Sequence, residues 1–202
     1  MIFLRRGILF LFFAVLQITV FAQGEKGTTV KNTAQGDAIG NTWAIIVGVS
    51  DYQNIAKLKY ADKDADAFYN YLRSKQLNIP ETNIKKLLNQ DATATNIFGA
   101  LDWLTESVKE NDRVFFYFSG HGDVDKKTIH QNGFLLATDA PAAAYMSKGT
   151  ISIKFLQDYL ETYIGINKAK QVLLIVDACR SGKLAGGNEG IQVTMQALGK
   201  PW

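Results

Sequence analysis

Residues Arg113-Val114-Phe115-Phe116-Tyr117-Phe118 decide the fold, because they are nearly all β-branched or aromatic and then break at Ser119-Gly120-His121-Gly122. A run this short and this apolar suits a strand buried on both faces. The same pattern recurs on either side of it in the chain. WAIIVGV at 43–49 reads as a buried strand ending in a loop over 50–54, and QVLLIV at 171–176 as another, ending in the small-residue loop DACRSG at 177–182. Residues 84–88 and 134–137 predict two shorter strands.

Between these runs the period changes. From 61 to 75 the apolar residues Ala61, Ala65, Phe68, Tyr69 and Leu72 recur at steps of three and four, with Asp62, Asp64 and Asp66 in the first turn. Asn78 and Pro80 close that helix. A second helix is predicted over 93–108, with Ile97, Leu101, Leu104 and Val108 on one face. Ser152 predicts an N-cap for a third, running to about Tyr163. Strands alternating with helices imply an α/β fold, with a mostly parallel central sheet and helices on both faces. Such sheets gather functional groups at the carboxyl ends of their strands. The only cysteine and one of the two histidines fall there, each expected one short loop after its strand.

Ahead of this domain, Arg5 and Arg6 precede an apolar run from 8 to 21 that ends in Val20-Phe21-Ala22, a small-residue cleavage pattern. The run is interrupted by Gln17 and falls short of the roughly 20 residues of a spanning helix. Residues 1–22 are therefore expected to be a signal peptide, 23–42 a flexible leader, and 43–202 the one folded domain. The chain is expected to be exported, periplasmic or secreted, with no stable membrane association. Its net charge of +3 falls by two when Arg5 and Arg6 leave, which gives no reason to expect nucleic acid as partner. A lone cysteine in an oxidising compartment cannot form an internal disulfide, so either burial or reactivity must account for it.

Chemistry gives Cys179 a use. If the strands before His121 and Cys179 are neighbours, thiol and imidazole converge at one end of the sheet. The thiolate is then the nucleophile, and the imidazole takes its proton and later protonates the leaving amine. Gly120 and Gly122 beside the histidine would let a substrate backbone approach. The N–H groups of Gly122 and Cys179 are candidates for stabilising the oxyanion of a tetrahedral intermediate.

FSGHGD at 118–123 and DACRSG at 177–182 resemble the histidine and cysteine motifs of caspase-like peptidases, nearest the metacaspase and orthocaspase branches. The two residues lie 58 apart, close to the roughly 50 expected of caspases. The likeness covers about 43–182 and includes 58–65, where the family has Asn-Asp-Ala and this chain has Lys63-Asp64-Ala65. It implies a caspase-like three-layer fold and a cysteine endopeptidase acting on polypeptides through a Cys179–His121 dyad. By the same resemblance Asp64 and Asp177 correspond to the acidic residues of the primary specificity pocket, so Arg or Lys is expected before the scissile bond. Asp139 resembles a recurrent family aspartate near substrate. Asp62 and Asp66 are expected to be merely solvated, and His130 to lie on the surface.

Two departures from the family pattern stand out. Calcium-dependent metacaspases carry acidic residues after the histidine motif, whereas 149–156 has none, so neither a metal site nor a cofactor is expected. The family fold also continues beyond the cysteine with a small-subunit region, and this sequence stops at Trp202. The domain is thus expected to be incomplete at its C-terminus, with an unpaired buried strand that a small-subunit region or a dimer partner would cover. The alternative from another class is a catalytically silent caspase-fold interaction module. A flavodoxin-like nucleotide binder fits less well, because Ser50-Asp51-Tyr52-Gln53-Asn54 lacks a glycine and carries an acid.

Overall fold

The computed structural model describes residues 40–124, 132–143, 148–165, 169–180 and 196–198. The expected signal peptide, most of the leader and His130 lie outside them. The leader ends sooner than the sequence suggested. Gly40 N donates to Asn111 O at 2.8 Å, Asn41 N donates to Asp112 Oδ1 at 2.7 Å, and Thr42 already opens the first strand. Asp112 is the reason: it is buried, and a buried carboxylate must collect donors. Trp43 Nε1 at 2.8 Å and Lys109 N at 2.9 Å supply two more.

Strand β1 (Thr42–Gly48) is followed by helix α1 (Ala61–Arg73), strand β2 (Ile84–Leu88) and helix α2 (Ala94–Ser107). Then come β3 (Arg113–Val124), β4 (Gly133–Leu136) and β5 (Thr150–Ser152). Helix α3 (Ile153–Tyr159) passes into a π-helical turn, Leu160–Gly165, before β6 (Gln171–Arg180) and β7 (Gln196–Leu198). Ser152 caps α3 as expected, accepting from Phe155 N. Helix α1 stops at Arg73, before Asn78 and Pro80, and Arg73 Nη1 donates to Ile79 O at 2.6 Å. A Cβ on Gly48 would collide with Ala65 Cβ and come within 2.9 Å of Ala61 O. The glycine and the two alanines thus let α1 lie directly against β1.

Among the described residues, one seven-stranded sheet contains every strand. β1 pairs in parallel with β2 and β3, and β3 with β6, while β4, β5 and β7 join antiparallel. Its two faces hold separate apolar clusters. Ile45, Val47, Val114, Phe116, Phe118, Val172, Leu174 and Val176 pack with α2 and α3, whereas Ala44, Ile46 and Tyr117 pack with Ala65, Phe68 and Leu72 of α1. Among the described residues no helix is long and apolar enough to cross a membrane.

Two expectations need correction. The third and last parallel strands were expected to break at Ser119 and after Val176, but β3 runs on to Val124 and β6 to Arg180. Each extension has a ladder partner: 119–122 align with 177–180, and 122–124 with 133–135 of β4. Backbone groups paired in this way have no reason to turn. Glycine and serine thus mark a break in side-chain bulk here, not in the strand. The free edge of β6 is also partly covered, since β7 pairs with Val172, Leu173 and Leu174.

Candidate active site

The ladder between β3 and β6 sets His121 directly opposite Cys179, and Ser119 opposite Asp177. Paired positions in a parallel ladder belong to the same face of the sheet. On β3, Tyr117, Ser119 and His121 alternate with Phe116 and Phe118, so the polar residues share one set of positions while the others fill the core under α2. The two positions, expected on loops, lie instead opposite each other on two neighbouring strands.

His121 is buried and held at its ring: Nε2 lies 2.8 Å from Ala56 O. A carbonyl can only accept, so Nε2 carries the proton and Nδ1 is left as the ring's acceptor. Burial holds the imidazole below its ordinary pKa, opposed by the Ala56 carbonyl and the charge of Asp123. The neutral, proton-accepting form is therefore favoured.

Ala56 belongs to the loop from Ser50 to Tyr60, pinned at several points. Asn89 Oδ1 accepts from Ser50 N at 2.8 Å and Asp51 N at 2.9 Å, and Thr138 Oγ1 donates to Asp51 O at 3.0 Å. Asp62, expected to be merely solvated, is part of the same bracing. It accepts from Ser50 Oγ at 2.7 Å and from Asn89 Nδ2 at 3.2 Å, and the serine bond above all lowers its pKa. Asp66 likewise has a partner, Lys86 Nζ at 2.7 Å, which holds its carboxyl below the usual range.

Asp64 and Asp177 are both exposed, on α1 and β6. Both charges act on one phenol: burial raises the pKa of Tyr117, and the charges of Asp177 and then Asp64 raise it further. Tyr117 stacks on Phe68 of α1, centroids 4.6 Å apart. Asp139 is placed otherwise. Its Oδ1 accepts from Ala94 N at 3.1 Å, at the N-terminus of α2, a stabilising position for a carboxylate that needs no substrate. Gly122 occupies the rung where β3 meets both Leu135 and Arg180. The space beside Gly120, expected to admit a substrate backbone, is taken by Tyr52: an added Cβ would lie 2.6 Å from its hydroxyl.

Sequence reasoning missed Tyr52, the Ala56 carbonyl and the Ser50–Asp62–Asn89 bracing. None had a signal, since a loop has no period and a backbone carbonyl has no identity.

A buried histidine thus stands in register with a cysteine at the carboxyl end of two parallel strands of an α/β sheet. The chain belongs to the caspase domain family, which matches residues 41–197. It is 30% identical over 154 residues to metacaspase-2 of Arabidopsis thaliana and 29% identical over 159 residues to metacaspase-1 of Plasmodium falciparum. Those matches take in 71% and 69% of this chain but 35% and 24% of the relatives, so the chain spans about a third or less of their lengths. A probable protease from a Desulfuromonadales bacterium is 25% identical over 175 residues, 79% of this chain and 20% of that protein. Among solved structures, a Geobacter sulfurreducens protein superposes with a TM-score of 0.54 at 16% identity, covering 69% of this chain and 51% of that one. That likeness shows the fold alone.

Proposed function

We propose that the protein is an exported cysteine endopeptidase that cleaves after Arg or Lys, with Cys179 as nucleophile and His121 as proton carrier. The observation that carries this is the β3–β6 register, which pairs His121 with Cys179 while Ala56 fixes the imidazole tautomer. The thiol proton passes to Nδ1, and the thiolate adds to the scissile carbonyl, which becomes an oxyanion. The N–H groups of Gly122 and Cys179 are the proposed donors to it, and each would have to leave its β3–β6 rung to serve. Collapse breaks the C–N bond as the imidazolium protonates the amine. Water, deprotonated by the same imidazole, then hydrolyses the thioester and restores the thiol.

Preference for a basic residue is supported by Asp64 and Asp177, whose fields meet at Tyr117, where a guanidinium or ammonium would be attracted. Export is supported by Val20-Phe21-Ala22 after a short apolar run.

One preparation tests the whole reading. Protein collected outside the cytoplasm should begin near Gln23 on N-terminal sequencing and cleave peptides with Arg or Lys before the scissile bond. Cys179→Ala and His121→Ala should each lower turnover by at least ~10³-fold, and together by no more than either alone. Turnover that survives Cys179→Ala would refute the assignment. Wild-type Cys179 that reacts with a thiol reagent no faster than an unactivated thiol would favour a silent caspase-fold module instead.

A further inference from the structure

β3 and β4 pair from Val124 opposite Gly133 to Gly122 opposite Leu135. One step further, that register sets His121 opposite Leu136. A phenol stands at this rung. His121 N donates to Tyr52 Oη at 2.7 Å, and the same hydroxyl donates to Leu136 O at 3.0 Å. The ladder is held apart there by one oxygen, at the residue that carries the imidazole.

Several features keep the hydroxyl in place. Tyr52 is buried, and its ring lies against the imidazole with centroids 4.8 Å apart. Its loop is tied down on both sides, by Asn89 through Ser50 and Asp51 and by Thr138, whose carbonyl accepts from Gln53 N at 3.1 Å. Position 120 has no room for a side chain, because a Cβ there would approach the hydroxyl to 2.6 Å and the Phe118 ring to 3.0 Å. The same loop supplies Ala56 O to Nε2. One segment therefore grips His121 twice, at its backbone through Tyr52 and at its ring through Ala56.

We infer that Tyr52 is a positioning residue: its hydroxyl, inserted as a bridging rung between β3 and β4, sets where His121 leaves the ladder and so where the imidazole stands beside the Cys179 position. The inference rests on the reading of His121 as the proton carrier. Without the hydroxyl, the His121 N–H and the Leu136 carbonyl are free to close on each other or admit water. Either outcome moves the histidine backbone, and a displacement on the order of 1 Å at a reacting group costs roughly 10²-fold in rate.

The test uses the full chain and reads the imidazole as well as turnover. Nitrogen NMR of the His121 ring, with His130→Gln removing the other histidine signal, should show the Nε2–H tautomer in the otherwise wild-type chain. Tyr52→Phe should give a mixed tautomer and lower kcat by about tenfold to a hundredfold, with KM held within about threefold. Gly120→Ala presses on the same hydroxyl and should give a comparable loss, yet add little in the Tyr52→Phe background, where the hydroxyl is gone. If Tyr52→Phe does not fold, Gly120→Ala carries both readouts. A Tyr52→Phe protein that keeps kcat and a single Nε2–H tautomer, losing only thermal stability, overturns the inference, as does an Nδ1–H tautomer in the unsubstituted chain. If that chain turns over no peptide at all, the peptidase reading fails while the tautomer comparison still decides what Tyr52 does.

Discussion

The two faces of the central sheet are built differently. Under α2 and α3 the strands contribute Ile45, Val47, Val114, Phe116, Phe118, Leu174 and Val176, almost all fully buried, and the helices answer with Ile97, Leu101, Leu104, Leu156 and Leu160. Under α1 the apolar cluster is smaller, with Phe68, Phe115 and Ile175 only partly buried. The alternate positions of β3 on that side run from Tyr117 to Ser119 and His121, and the charges of Asp177 and Asp64 both act on Tyr117. The difference teaches that stability and chemistry are divided by strand parity. One face supplies the burial that makes the sheet rigid, which frees the other to hold a neutral imidazole at the end of β3, with one carboxylate on β6 and another on α1.

If that division holds, truncating the core face should have the largest effect on stability. Phe116→Ala removes a ring from a fully packed site and is expected to cost about 3–5 kcal/mol in urea unfolding, while Phe68→Ala, on the half-buried side, costs roughly 1–2 kcal/mol. Equal losses for the two would break the comparison.

The site face should show the reverse pattern, with function lost at little cost in stability. Asp177→Asn keeps the volume and removes one charge, and a net gain of about 1.4 kcal/mol from pairing with a substrate cation corresponds to tenfold in kcat/KM. We expect about that loss on basic substrates, with thiol labelling of Cys179 and the unfolding midpoint unchanged. Because the Asp177 charge also raises the Tyr117 pKa, that phenol should titrate lower in the variant. An unaltered preference for basic over acidic peptides would remove Asp177 from the pocket.

The smallest expected effect is in pH dependence. Burial lowers the His121 pKa, so the neutral base persists below the ordinary histidine value and the acid limb of kcat/KM should lie under about 6.5. For stability the sign is the same. The folded state disfavours the imidazolium, so this contribution is present above the unfolded pKa and is lost as pH falls through the folded one. Asp123→Asn removes a charge that raises the pKa and should move the limb lower still. A limb above 6.5 would mean that the Asp123 charge and the Ala56 bond outweigh burial.

Much of this was legible in the sequence. Residues 84–88, the Ser152 cap and the alternation of apolar strands with amphipathic helices were readable because strand and helix periods follow from local backbone geometry. The motifs around His121 and Cys179 pointed to caspase-like chemistry, and the strand order to a shared sheet edge. What the tertiary structure alone decided are matters of pairing. Ser119 to Val124 and Asp177 to Arg180 stay in strands because partners lie beside them, and no local rule can see a partner. Asp62 is a brace and Asp139 a helix cap, because the residues that meet their carboxylates, Ser50, Asn89 and Ala94, come from other parts of the chain. Tyr52 and Ala56, more than sixty residues before His121, hold it only once the β1 loop has folded against the ends of β3 and β4. A sequence displays propensity and period, whereas a grip on one imidazole depends on which distant backbone groups folding brings within hydrogen-bond reach.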